Sequence, residues 1–105
     1  MHVAIVGVDL LGQARIRDAA TRLGATVSVH PGPGIPEADV VVVDLETLDP
    51  SGLVPPPPSI RVLGIYPHKD AELAARAERA GIEPVPRSRF VRELDALLQG
   101  DGGRA

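Results

Sequence analysis

The 105-residue chain contains no cysteine and no tryptophan, and it has one tyrosine and one phenylalanine. Without cysteine the chain forms no disulfide, offers no thiolate to a metal and has no cysteine nucleophile. So few aromatic rings leave almost no platform for stacking nucleic-acid bases. The net charge of −3 gives no general attraction to phosphate backbones either. We therefore expect no nucleic-acid partner.

Long apolar runs are also missing. No segment approaches the roughly 20 apolar residues that a membrane span needs. The first residues enter an apolar, β-branched stretch without the basic start of a signal peptide. The length suggests one domain over residues 1–99 and a flexible tail over residues 100–105. These features predict a cytoplasmic protein without membrane contact.

Apolar strands alternate with amphipathic helices along the chain. Asp70 and Ser88 are the expected caps of the second and third helices, and Gly24 and Gly100 are placed to end the first and third. Apolar, β-branched stretches predict five strands, over residues 2–8, 25–30, 39–45, 60–66 and 82–86. Helical periodicity predicts three helices, over residues 12–24, 67–81 and 88–100.

This order predicts an α/β fold, because strands joined by crossovers form a parallel sheet with right-handed connections. We predict a five-stranded, doubly wound parallel sheet in the flavodoxin-like order 2-1-3-4-5. Two connections, residues 31–38 and 46–59, are rich in proline. They predict that the second and third helices of such a fold are shortened or replaced by loops.

The missing helices affect one face of the sheet. In this strand order only the helix over residues 70–80 remains to cover that face. Parallel strands are apolar on both sides, so an uncovered face would expose apolar surface. Two alternatives stay open. Either a homodimer or another protein partner covers the face, or the chain's own loop residues do, namely Leu45, Leu48, Leu53, Val54 and the neighbouring prolines.

A family resemblance follows from this arrangement. Asp44 closes the third strand, "VLGIYPHKDAELAARAERAG" supplies a strand and an alanine-rich helix, and "GIEPVPRSRF" supplies a short strand before a phenylalanine. Over residues 3–98 the chain resembles a degenerate response-regulator receiver domain, or pseudo-receiver. The resemblance implies a flavodoxin-like fold and a signalling role.

A receiver that accepts a phosphoryl group needs several groups around it, because a carboxylate accepts a dianion only when a metal and a cation neutralise the charge. Asp44 matches the acceptor aspartate at the end of strand three. The two acids that hold Mg²⁺ fall on Gly7 and Val8, neither of which is acidic, and Asp9 follows one residue later. Asp44 with Asp9 would bind Mg²⁺ weakly, and we expect no other cofactor.

The remaining receiver positions also depart from the family pattern. The Thr or Ser position falls on Tyr66, whose hydroxyl lies too far from its backbone, and the Lys position falls on Ser88, next to Arg87. The resemblance thus implies a vestigial phosphoacceptor pocket formed by Asp44, Asp9, Tyr66, Arg87 and Ser88. It favours a non-enzymatic regulatory module that acts by protein contact through residues 70–98. A phosphorylatable receiver that uses Asp44 is the alternative, and a purely structural Asp44 would bond to the backbone of the turn after it.

A second alternative is a small Rossmann-like nucleotide-binding protein. In "VAIVGVDLLG", Gly7 and Gly12 match the first and third glycines of the dinucleotide fingerprint, and Asp9 stands at the second. A carboxylate there adds bulk and negative charge beside a phosphate. His30 stands where an acid would bind the ribose.

Metal and anion sites are further hypotheses. Asp9, Asp44 and His68 end neighbouring strands and are weak candidates for a shared metal. Arg87 and Arg89, at the start of the last helix, are candidates for binding a small anion.

Hydrolase chemistry finds little support. No Gly-x-Ser-x-Gly elbow is present, and none of the serines at positions 28, 51, 59 and 88 has an evident histidine partner.

Overall fold

Five parallel strands form one sheet in the order β2-β1-β3-β4-β5, as the computed structural model shows. The structure describes residues 1–53 and 59–100. The strands are β1 His2–Val6, β2 Thr26–His30, β3 Val40–Asp44, β4 Arg61–Tyr66 and β5 Glu83–Pro86. The helices are α1 Leu10–Leu23, α2 Ala71–Arg79 and α3 Arg87–Gln99, and a short 3₁₀ turn spans Pro50–Gly52. The predicted fold class and strand order are confirmed.

The helix ends follow local chemistry with one exception. Asp70 caps α2 by accepting the Leu73 N–H at 3.0 Å, and Gly24 and Gly100 end α1 and α3 in the left-handed conformation, as predicted. The prediction that Ser88 caps α3 is wrong. Strand β5 runs directly into this helix, so Pro86 stands at the cap position and supplies no side-chain acceptor.

The first face of the sheet is covered by α1 and α3. At the outer surface the Arg22 guanidinium donates to both carboxylate oxygens of Asp95, at 2.7 and 2.8 Å, and so joins the two helices. The buried side chains on this face come from four strands and both helices: Val3, Ile5, Ile16, Ala19, Val40, Val42, Leu63, Ile65, Val85, Phe90, Leu94, Leu97 and Leu98.

The second face is covered by α2 and by loop residues. The strand side chains beneath are fully buried, including Ala4, Val6, Val41 and Val43. Loop residues bury them from above, with Leu45 and Leu53 themselves buried and Ile35, Ala38 and Leu48 partly buried. Within residues 1–53 and 59–100, α2 and these loop residues therefore cover the strand side chains of this face, as the second alternative predicts. Val54 and the prolines at 55–58 lie outside the described residues, as does the predicted tail beyond residue 100.

Among the described residues, no helix is long and apolar enough to cross a membrane.

Candidate functional site

Asp44 occupies the carboxyl end of the central strand β3, where ligands collect in sheets of this kind. Among the described residues it is the one charged residue that is buried, with 7% of its surface exposed. Its Oδ1 accepts the Glu46 N–H at 2.9 Å, and its backbone oxygen accepts the Leu48 N–H at 3.0 Å. The carboxylate thus bonds to the backbone of the turn that follows it.

Arg87 supplies the countercharge to Asp44. Its terminal nitrogen lies 3.4 Å from both carboxylate oxygens of Asp44 and 2.5 Å from Oε2 of Glu46. Partial burial lowers the pKa of the Arg87 guanidinium, but the charges and hydrogen bonds of the two acids outweigh this effect and leave the pKa raised. The arginine is therefore a permanent cation that bridges the buried acid and an exposed one.

Glu46 was not singled out from the sequence. Its signal lies in its position, two residues beyond the aspartate that ends the central strand and at the same sheet edge as the basic start of α3. Paired with Arg87, it keeps that cation over the Asp44 carboxylate.

Asp9 is placed differently from Asp44. It caps α1, and its exposed side chain accepts the Gly12 N–H at 2.8 Å. The carboxylate therefore stands at the helix N-terminus, where the Rossmann-like alternative would place a phosphate, and its charge opposes an anion there.

Tyr66 and Ser88 are not drawn toward Asp44. Side chains alternate along a strand, so Asp44 belongs to the first face, whereas the half-buried Tyr66 packs with the apolar cluster of the second. Ser88 is exposed in the first turn of α3.

The structure does not bring the candidate metal ligands Asp9, Asp44 and His68 together. His68 is exposed in the loop between β4 and α2, and Asp44 and Asp9 are engaged as described. Residues 1–53 and 59–100 contain no group of three or more metal-ligating side chains. Of the anion candidates, Arg87 is bound by carboxylates, and Arg89 contacts Glu93 at 3.4 Å.

Leu48 packs against Gly7, one of the two positions to which the receiver resemblance assigns an acid. Gly7 has a φ of 66°, and a Cβ added to it would lie 2.8 Å from Leu48 Cδ1. Gly32 has a φ of 80°, and its added Cβ would lie 2.6 Å from the same atom. Val8, at the other acid position, is buried in the core of the first face. The apolar side chain of Leu48 thus packs against the two glycines that follow β1 and β2.

A second polar group lies away from Asp44, at the β1–β2 edge. Ser28 Oγ is 2.8 Å from Nε2 of His2 and 2.8 Å from Nε2 of His30. The expectation that the serines lack histidine partners is therefore wrong. The sequence feature that indicated this contact is the alternation of Thr26, Ser28 and His30 with valines in β2. It places the three polar side chains on one face of the strand.

No protein-family model and no curated protein matches the sequence. The structure is similar to the ChxR receiver domain from Chlamydia trachomatis, with a TM-score of 0.63 and 19% identity over 93% of each chain. It is also similar to the regulatory domain of the master biofilm regulator CsgD, with a TM-score of 0.63 and 15% identity over 96% of this chain and 89% of that one. With five parallel strands in the order 2-1-3-4-5, the chain has the fold of a response-regulator receiver domain.

Proposed function

We propose that the chain is a receiver-like signalling or regulatory module that acts by protein contact, catalyses no reaction and does not use Asp44 as a phosphoacceptor. The observation that carries this proposal is that both oxygens of the Asp44 carboxylate already have partners within the chain. The Arg87 guanidinium and the Glu46 N–H already occupy its oxygens.

Charge balance supports the loss of the phosphoryl switch. Acyl phosphate formation on a carboxylate needs a cation on each side of the incoming phosphoryl group, one of which is normally Mg²⁺. Mg²⁺ requires near-octahedral oxygen ligands. Here Asp9 caps α1, Glu46 is paired with Arg87, and Leu48 fills the space beside Gly7. A metal on the Asp44 carboxylate would have to displace the ion pair with Arg87, and no acid stands at position 7, where Leu48 packs instead.

The proposed contact surface is residues 70–98, which include α2, β5 and α3 up to its last residue but one. In α3, Val91 is 47% exposed, and Arg92 beside it is exposed as well. Apolar and cationic groups side by side suit binding to a protein surface with acidic residues around an apolar centre. A cytoplasmic location is part of the same proposal.

The test is an amide NMR titration of the full chain with Mg²⁺ and then with Mg²⁺ plus beryllofluoride, a mimic of an acyl phosphate. We expect no saturable shifts at Asp44, Glu46 or Arg87. The Asp44→Asn variant is the matched control, because it removes the acceptor and keeps the side-chain shape. Saturable shifts in the natural chain that vanish in Asp44→Asn would contradict the proposal and support a phosphorylatable receiver.

A second measurement addresses the reaction itself. After incubation with acetyl phosphate and Mg²⁺, intact-mass analysis should show no added phosphoryl group. An acid-labile adduct that is lost in Asp44→Asn would overturn the proposal.

A further inference from the structure

Two histidines converge on one point at the β1–β2 edge of the second face. The Nε2 atom of His2 lies 2.8 Å from Ser28 Oγ, and the Nε2 atom of His30 lies 2.8 Å from the same oxygen. The two ring nitrogens are therefore separated by at most twice that distance. His2, Ser28 and His30 are all half-buried, so solvent reaches the point between them.

The surrounding hydrogen bonds orient the His2 ring. Thr26 Oγ1 donates to the Met1 backbone oxygen at 3.5 Å and lies 2.7 Å from His2 Nδ1. In the tautomer that carries its proton on Nδ1, His2 donates to the threonine oxygen. Its Nε2 is then unprotonated, and metal binding at Nε2 selects this tautomer.

We propose that His2 and His30 form a binding site for a divalent transition-metal ion of the zinc class, held by the two Nε2 atoms beside Ser28. Imidazole nitrogen is a preferred ligand for such ions, whereas Mg²⁺ and Ca²⁺ prefer oxygen. An ion about 2.0–2.1 Å from each nitrogen in tetrahedral geometry needs them roughly 3.3 Å apart. The proposal therefore requires the two half-buried rings to rotate toward each other, and His30 takes the Nδ1–H tautomer as it binds.

Two features near the histidines favour a cation. Thr26 acts as the outer partner of His2, as hydroxyls and carbonyls do for metal-ligating histidines. The Asp39 carboxylate accepts the His2 backbone N–H at 2.6 Å and places a negative charge beside the backbone of His2. Because the described residues hold no cluster of three ligating side chains, water fills the remaining coordination positions. The site is separate from Asp44, which ends β3 on the first face.

The experiment uses the full chain without a histidine tag, in a buffer that does not bind metal. Zn²⁺ is titrated while the imidazole carbon–proton signals of all three histidines are followed by NMR, with Mg²⁺ as a parallel titration. We expect saturable one-to-one shifts at His2 and His30 together, no comparable shift at His68, and no response to Mg²⁺.

Variants then assign the ligands. His2→Gln and His30→Gln are each expected to weaken Zn²⁺ binding by at least about tenfold, and Thr26→Val by about tenfold through loss of ring orientation. His68→Gln is the matched control, because it removes the exposed third histidine and should leave binding unchanged. The amide spectrum of each variant shows whether the fold is kept.

Several results would overturn the proposal. One is the absence of saturable Zn²⁺ shifts in the natural chain, a result that depends on no variant. Another is a His68→Gln variant that weakens binding as much as His2→Gln does. A third is a shift at one histidine that persists unchanged when the other is replaced. In that case the histidines and Ser28 form only a hydrogen-bonded ladder that fixes the edge strand.

Discussion

Replacing Gly7 by alanine tests whether Leu48 fills the crevice beside β1. Gly7 has a positive φ of 66°, and its added Cβ would lie 2.8 Å from Leu48 Cδ1. Gly24 has nearly the same backbone, with a φ of 70°, but its added Cβ would meet nothing within 4 Å. The two glycines therefore differ in the steric contact and share the backbone strain.

The two substitutions should therefore lower the free energy of unfolding by different amounts. Holding alanine in the left-handed conformation destabilises by about 1–2 kcal/mol, which is the whole expected effect of Gly24→Ala. Gly7→Ala adds the overpacking against Leu48, about 1–3 kcal/mol more. In a chain that already carries Leu48→Ala, the overpacking disappears, and Gly7→Ala should again lower the free energy of unfolding by about 1–2 kcal/mol.

The assay is urea denaturation of the natural chain, the three single variants and the Gly7→Ala, Leu48→Ala double variant. The coupling energy between residues 7 and 48 is the quantity of interest. The reasoning fails if Gly7→Ala and Gly24→Ala destabilise equally with Leu48 present, or if removal of Leu48 leaves the Gly7→Ala effect unchanged. Either result would mean that Leu48 does not block a side chain at position 7.

Three further predictions concern charged side chains. Breaking a fully buried ion pair costs about 3–5 kcal/mol. Because the Arg87 side chain is 42% exposed, Arg87→Gln should lower the unfolding free energy by only about 1–2 kcal/mol. A double-mutant cycle with Asp44→Asn in urea should show positive coupling, and additive effects would contradict the ion pair. The hydrogen bond from Arg22 holds the pKa of the Asp95 carboxyl below its ordinary value of 3.8. The stabilisation is therefore fully present above that value and is lost as the pH falls through the lowered pKa of the folded state. The stability difference between the natural chain and Asp95→Asn should shrink in that acid range, and a constant difference in urea midpoints would refute the linkage. Asp70→Ala removes the α2 cap and should destabilise by about 1 kcal/mol in thermal or urea unfolding, whereas Asp70→Asn, which keeps the acceptor oxygen, should change little.

The elements of the fold were predictable because they depend on local patterns. The valine run before Asp44 indicated a strand buried on both faces, and it is the fully buried β3. Gly24 and Gly100 indicated helix ends that require a left-handed residue. Ser88 misled because capping depends on the length of the preceding connection, and here β5 leaves no residue between the strand and α3.

The candidate site was predictable only in part, because it depends on contacts between distant segments. The sequence placed Arg87 and Asp44 at one sheet edge, and the structure joins them. It did not indicate that Leu48 would fold back over Gly7, since a leucine in a proline-rich loop has no fixed direction. The pairing of His2 with Ser28 required the register between β1 and β2, which a short edge strand specifies weakly.

The unequal cover of the two faces has a consequence for local opening of the native state. Helices α1 and α3 carry their own backbone hydrogen bonds, but the loops around Ile35, Leu48 and Leu53 take their shape from the sheet beneath them. The loop layer should therefore open first in the native state. Hydrogen exchange should show this as faster exchange of amides in the turn after β3 than in the interiors of α1 and α3. The loops on the second face would then open locally while the rest of the molecule stays folded.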